Sequence, residues 1–130
     1  MSAGSKVEKL LLNNDFAPTF ADLANVPLPA DGRSFAPLLR GEDPSWRSAI
    51  LLEAAGGRSP PSYTAVRTEA HKYVEYQTGD RELYDLEADP YEMDNLYETA
   101  DDSLVQDLKA KLDALRACTG DGCREAEDAS

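Results

Sequence analysis

Basic side chains are scarce in this sequence. Lysine and arginine number 13 against 25 aspartates and glutamates, a formal charge of −12 over 130 residues. No basic stripe exists to displace counterions, which argues against a nucleic-acid backbone as partner. Long apolar runs are missing as well. Nothing approaches the roughly 18 consecutive apolar residues of a membrane span. The opening MSAGSKVEKLLLNN has only a three-leucine run, too short for a signal-peptide core. No Asn-x-Ser/Thr triplet occurs, so glycosylation gives no indication of compartment.

Histidine and cysteine are nearly absent too. The single histidine, His71, falls at an expected hairpin turn. Catalysis by histidine requires a positioned nucleophile or carboxylate, and no G-x-S-x-G elbow is present. His71 therefore reads as an exposed or hydrogen-bonded turn residue. It becomes a substrate-cleft contact if this sheet faces a cleft in a larger protein. The two cysteines sit in CTGDGC, as Cys118 and Cys123. Two sulfurs make a poor zinc site, which usually needs four ligands. The intervening glycines allow a small disulfide loop, which would suggest an oxidising compartment; two free thiols are the alternative.

What is there supports one modest core. The hydrophobic fraction of 42% is too high for a wholly disordered chain. Val7 and Leu10–Leu12 read as a strand after a ragged end. Phe16, Phe20, Leu23 and Ala24 fall at helical spacing behind Asn14 or Asp15 as cap, with Pro18 in the first turn. Residues 28–47 read as loop, turning at Asp31-Gly32 and anchored by Phe35, Leu38 and Leu39. Strands are expected at 48–54, 63–68, 72–76 and 82–86, with a flexible bend at 56–61 and a short link at 68–71. A small sheet needs a cover. Leu104, Leu108, Leu112 and Leu115 supply it as the stripe of an amphipathic helix over 102–117, with Thr99 and Asp102 as its capping arrangement.

Charge is concentrated at residues 81–102, which hold nine acids and one base. A calcium loop beginning at Asp85 would place Asp85, Glu87 and Asp89 at its first, third and fifth positions. It would also require glycine where Pro90 stands and glutamate where Leu96 stands. The stretch reads instead as turn scaffolding, pinned by Leu83, Tyr84, Leu86, Tyr91 and Leu96. Arg67 and Lys72 read as locally neutralised cations. Gly56-Gly57-Arg58-Ser59 lacks the spacing and lysine of a phosphate loop.

Four segments together resemble the C-terminal part of a sulfatase of the arylsulfatase and N-acetylglucosamine-6-sulfatase branch, within the alkaline-phosphatase-type superfamily. They are NNDFAPTFADLANVPLPADGRSFAPLLRG at 13–41, YTAVRTEAHKYVEYQTGDRELYDLEADPYEMDNL at 63–96, the leucine-striped helix, and CTGDGCR at 118–124. The resemblance spans roughly residues 7–124. It implies an α+β fold: a small antiparallel sheet of three or four strands packed by a C-terminal amphipathic helix, preceded by a short helix and loop left over from a larger α/β domain. On this reading residues 1–47 are the end of the large domain plus linker. Residues 48–117 are the sheet-and-helix subdomain, and 118–130 a Cys loop with a disordered acidic tail.

In the family a cysteine or serine within C/S-x-P-x-R becomes formylglycine, whose hydrate attacks the sulfate ester while calcium holds the sulfate. Neither Cys118 nor Cys123 begins that motif, and the metal ligands would lie upstream of residue 13. Asp15, Pro18 and Thr19 match a D-x-x-P-T segment that belongs to a structural helix. The resemblance therefore carries no catalytic, cofactor or metal residue onto this chain. Calcium and a sulfated substrate are expected only in the complete enzyme, and the chain alone is expected to be inactive. The missing large domain is the expected partner. An extracellular, periplasmic or lysosomal-type compartment is implied for the full-length family. The family often has arginine-tyrosine or a similar pair where this chain has Ala70-His71, and substrate is not legible. Two alternatives remain: a stand-alone interaction or structural domain, and, disfavoured by Pro90 and Leu96, a small acidic calcium-binding protein.

Overall fold

A computed structural model describes residue 4, residues 6–57, residue 59 and residues 61–129. Part of the ragged start and two positions of the 56–61 bend, Arg58 and Pro60, lie outside the described residues. The chain forms two compact units, one ending at Trp46 and the other beginning at Arg47.

In the first unit, Val7–Leu12 does not form the expected strand. No strand among the described residues runs beside it; Leu10 O instead accepts Trp46 Nε1 at 2.8 Å. The chain passes through a 3-10 turn at Asn13–Asp15 into helix α1, Phe16–Leu23. Asp15 is fully buried and ties three segments together. Its carboxylate accepts the Leu12 amide at 2.7 Å and the Arg33 amide at 2.8 Å, while its carbonyl accepts the Thr19 hydroxyl at 2.6 Å. Thr19 Oγ1 in turn accepts the Phe35 amide at 2.9 Å. Gly32 must be glycine here, because an added Cβ would lie 2.1 Å from the Asn14 carbonyl oxygen.

The 28–47 segment is not all loop. Ala36–Arg40 forms a short helix, α2, with Pro37 in its first turn and Gly41 closing it at φ 85°. Five residues are too few to display a helical period, so the sequence pattern hid it. Phe35 and Leu38 are buried as expected, but Leu39 is 42% exposed. Phe16 meets Phe35 edge to face with ring centroids 5.3 Å apart.

The second unit is a four-stranded antiparallel sheet in the order β1-β2-β3-β4 (Ala49–Ala54, Tyr63–Thr68, His71–Tyr76, Arg81–Asp85). Its alternation gives two faces. Leu51, Val66, Tyr73 and Leu83 stand side by side across one face. Helix α3, Asp102–Ala117, lies on them and buries Leu108, Leu112 and Leu115, with Leu104 and Val105 at the rim. Each such leucine contributes roughly 1.5–3 kcal/mol by leaving water. The helix begins at Asp102 without the expected cap. Asp101 occupies the N-cap position and makes no side-chain cap bond, and the Thr99 hydroxyl donates to Leu96 O instead.

Residues 121–128 correct the expectation of a disordered tail. They form helix α4, Asp121–Asp128. It is tied by a disulfide near one end and to the start of β1 at the other. Glu127 O accepts the Ser48 amide at 2.8 Å, and Glu127 Oε2 accepts Arg47 Nε at 3.0 Å.

The outer edge of β4 is also closed. Asn95 Oδ1 accepts the amides of Leu83 and Tyr97, each at 3.0 Å. Asn95 Nδ2 donates to Arg81 O at 3.0 Å, and the Leu96 amide donates to Leu83 O at 2.8 Å. One amide side chain thus stands in for a neighbouring strand.

Candidate functional site

The densest polar constellation lies at one end of the helix-covered face. There the register sets Glu53, Thr64, Glu75 and Arg81 in one row across the four strands. Arg116, in the last turn of α3, reaches down to the same row. Together they line a cleft of about 460 Å³. Glu75 is the hub and is only 8% exposed. It accepts the Tyr73 hydroxyl at 3.0 Å and Arg116 Nη1 at 2.8 Å, and Arg81 Nε lies 3.4 Å away. A buried carboxylate paired this thoroughly is a fastening between helix and sheet. Burial, and next the bond to Glu75, push the Tyr73 hydroxyl up to about 12. Tyr84, on the other face, is likewise raised to about 12 by burial and the nearby Glu82 charge.

His71 opens β3. Its amide donates to Thr68 Oγ1 at 2.9 Å, and the Thr68 hydroxyl donates to its carbonyl at 3.2 Å, which tightens the hairpin. Asp85 is its cross-strand neighbour. That carboxylate is committed to the turn: it accepts the Glu87 and Ala88 amides at 2.9 and 3.0 Å. The Ala88 bond leads the causes that hold it below the usual carboxylate range, with His71 a small addition. Half-buried at the start of β3, His71 is placed as a hairpin residue.

The acidic stretch resolves in the same way. Asp89 Oδ2 accepts the amides of Met93 and Asp94, at 2.5 and 2.9 Å. Glu92 takes a left-handed φ of 56° and pairs with Lys72 at 2.5 Å. These carboxylates hold backbone amides and a lysine. Among the described residues no three His, Cys, Asp or Glu side chains converge as a metal-holding group. Cys118 and Cys123 are joined by a disulfide. Sequence reasoning missed the Glu75 hub, the Arg47–Glu127 pair and Asn95. Opposite charges 41 and 80 positions apart carry no local signal. The period-2 pattern does place Glu75 on the face of Tyr73.

Comparison with known proteins fits this arrangement. Residues 1–118 match the family described as N-sulphoglucosamine sulphohydrolase, C-terminal. An N-acetylglucosamine-6-O-sulfatase of Bacteroides thetaiotaomicron is 34% identical over 111 residues, covering 78% of this chain and 20% of that protein. A choline-sulfatase of Rhizobium meliloti is 34% identical over 123 residues, covering 91% and 23%. The solved structure of BT4656 with its substrate D-glucosamine-2-N,6-O-disulfate superposes with a TM-score of 0.71 at 27% identity. It covers 85% of this chain and 24% of that one. The chain thus spans about a fifth to a quarter of the length of these relatives.

Proposed function

We propose, from a chain that belongs to the sulfatase family through its C-terminal region, that it completes a sulfuric ester hydrolase without carrying the reaction itself. The whole enzyme converts a sulfate ester and water to an alcohol and sulfate. On this reading the nucleophile and the calcium ligands belong to the large domain that makes up the rest of such proteins. None of the residues placed above is assigned to either role, and no catalytic step is routed through this chain.

One observation carries the reading. On α1 and the segment after it, Phe16, Phe20, Leu23, Val26 and Leu28 are 46%, 64%, 51%, 57% and 48% exposed. That is a row of large apolar side chains, the kind of surface that marks an interaction site. Its occupant, on this reading, is the large sulfatase domain. The relatives named above divide between sugar sulfates and choline sulfate, so the sulfate ester is defined here only as a class.

The test has two arms. Purified chain is assayed against an aryl sulfate with calcium, and no hydrolysis is expected. The reading frame upstream of Met1 is then searched for C/S-x-P-x-R with an aspartate pair, and the joined protein is expected to hydrolyse the ester. Calcium-dependent turnover by the chain alone, surviving a contaminant control, would refute the proposal.

A further inference from the structure

We infer that the Cys118–Cys123 disulfide is a redox-controlled latch that holds α4 over the start of β1. Helix α4 is eight residues long and none of them is buried. That is shorter than the roughly 12–15 residues an isolated helix needs in water. Towards α3 it and its C-cap present Ala126 and Ala129 opposite Ala110 and Ala114, leaving a groove of about 380 Å³. Ala126 packs partly buried against the core, and the two ends of the helix add a polar and a covalent tie.

At the far end the bonds are polar. Ser48 donates its amide and hydroxyl to Glu127 O at 2.8 and 3.1 Å, and the same hydroxyl donates to Ala129 O at 2.7 Å. Lys111 Nζ also donates to Ala129 O at 2.8 Å. Arg47, only 2% exposed, directs its guanidinium to Glu127 at 3.0 Å. The near end is covalent: the bridge links the C-cap of α3 to the first turn of α4 across five positions. A dithiol opens it in a balanced exchange. The Sγ–Sγ bond breaks, both sulfurs leave as thiols with two electrons and two protons from the reductant, and the dithiol becomes a disulfide.

Once the bridge opens, the short loop regains chain freedom. Gly120 and Gly122, at the entry to α4, favour the frayed state. The helix then has to hold without its covalent tie. When Glu127 lets go of Ser48 and Arg47, the first residues of an edge strand and the alanine face of α3 become accessible. Reduction is thus transmitted from the sulfurs to β1 along one helix.

Hydrogen exchange on the full chain, with and without dithiothreitol, tests the latch, with thiol alkylation and mass confirming reduction. Amides of residues 121–129 and of Ser48 should exchange at least about tenfold faster when reduced, while β2 and β3 keep their rates. The double variant Cys118→Ser/Cys123→Ser should match the reduced protein in either condition. Unchanged exchange at Ser48 after confirmed reduction overturns the proposal. So does equal acceleration throughout β2 and β3, which would make the bridge a staple for the whole unit.

Discussion

Tyr73 stands where the core meets the Glu75 hub, and its ionisation reports on both. Its hydroxyl titrates near 12 in the fold against 10.0 when free, chiefly because burial disfavours the phenolate. A raised folded value means this contribution is fully present below pH 10. It is lost as the pH rises from about 10 through 12, because the unfolded chain releases its proton first. Tyr84 is raised to about 12 and adds in the same window. The second unit should therefore lose stability steeply across that interval, as read by thermal melts at stepped pH. Tyr73→Phe should flatten the slope by about one proton's worth. An unchanged slope would place the ionising group elsewhere.

Between elements, the strongest dependence is that of the sheet on α3. Leu112 is fully buried at the centre of the helix stripe, against Val66, Tyr73 and Leu83. Leu112→Ala should cost about 2–5 kcal/mol, measured by urea unfolding of the far-ultraviolet signal, whereas the same change at rim-placed Leu104 should cost less. Alternation and leucine spacing make these elements legible in the sequence, because each buries one face and must repeat at its own period. The range 102–117 is read without error for that reason. Helices α2 and α4 escape the same reading: one is a single turn around Pro37, and the other is an acidic segment ordered by contacts far away in the chain. The Val7–Leu12 strand fails for the opposite reason. Its residues suit a strand, but pairing is a property of two segments, and none of the strands among the described residues runs beside it. Of the candidate site, alternation makes legible only that Glu75 shares a face with Tyr73; the hub itself is not legible, because it is assembled from three separate elements.

For the molecule as a whole, the two units differ in how much of their apolar surface they cover. The second closes over Leu83, Leu112 and their neighbours. The first leaves Phe20 and Leu23 64% and 51% exposed. Phe20→Ser/Leu23→Ser should reduce self-association in sedimentation velocity without shifting the melting of the second unit. Persistent association would move the sticky surface elsewhere. The second unit has its own asymmetry, set by Asn95. That side chain and the Leu96 amide occupy the hydrogen-bonding edge beyond β4, whereas at the other flank α4 reaches the start of β1 through Ser48. The two flanks are thus closed by different means, one by a side-chain amide and the other by a helix. A homologue that exchanges Asn95 for a residue without an amide would leave the Leu83 amide and the Arg81 carbonyl without this partner, and the β4 flank would then rest on the Leu96 amide.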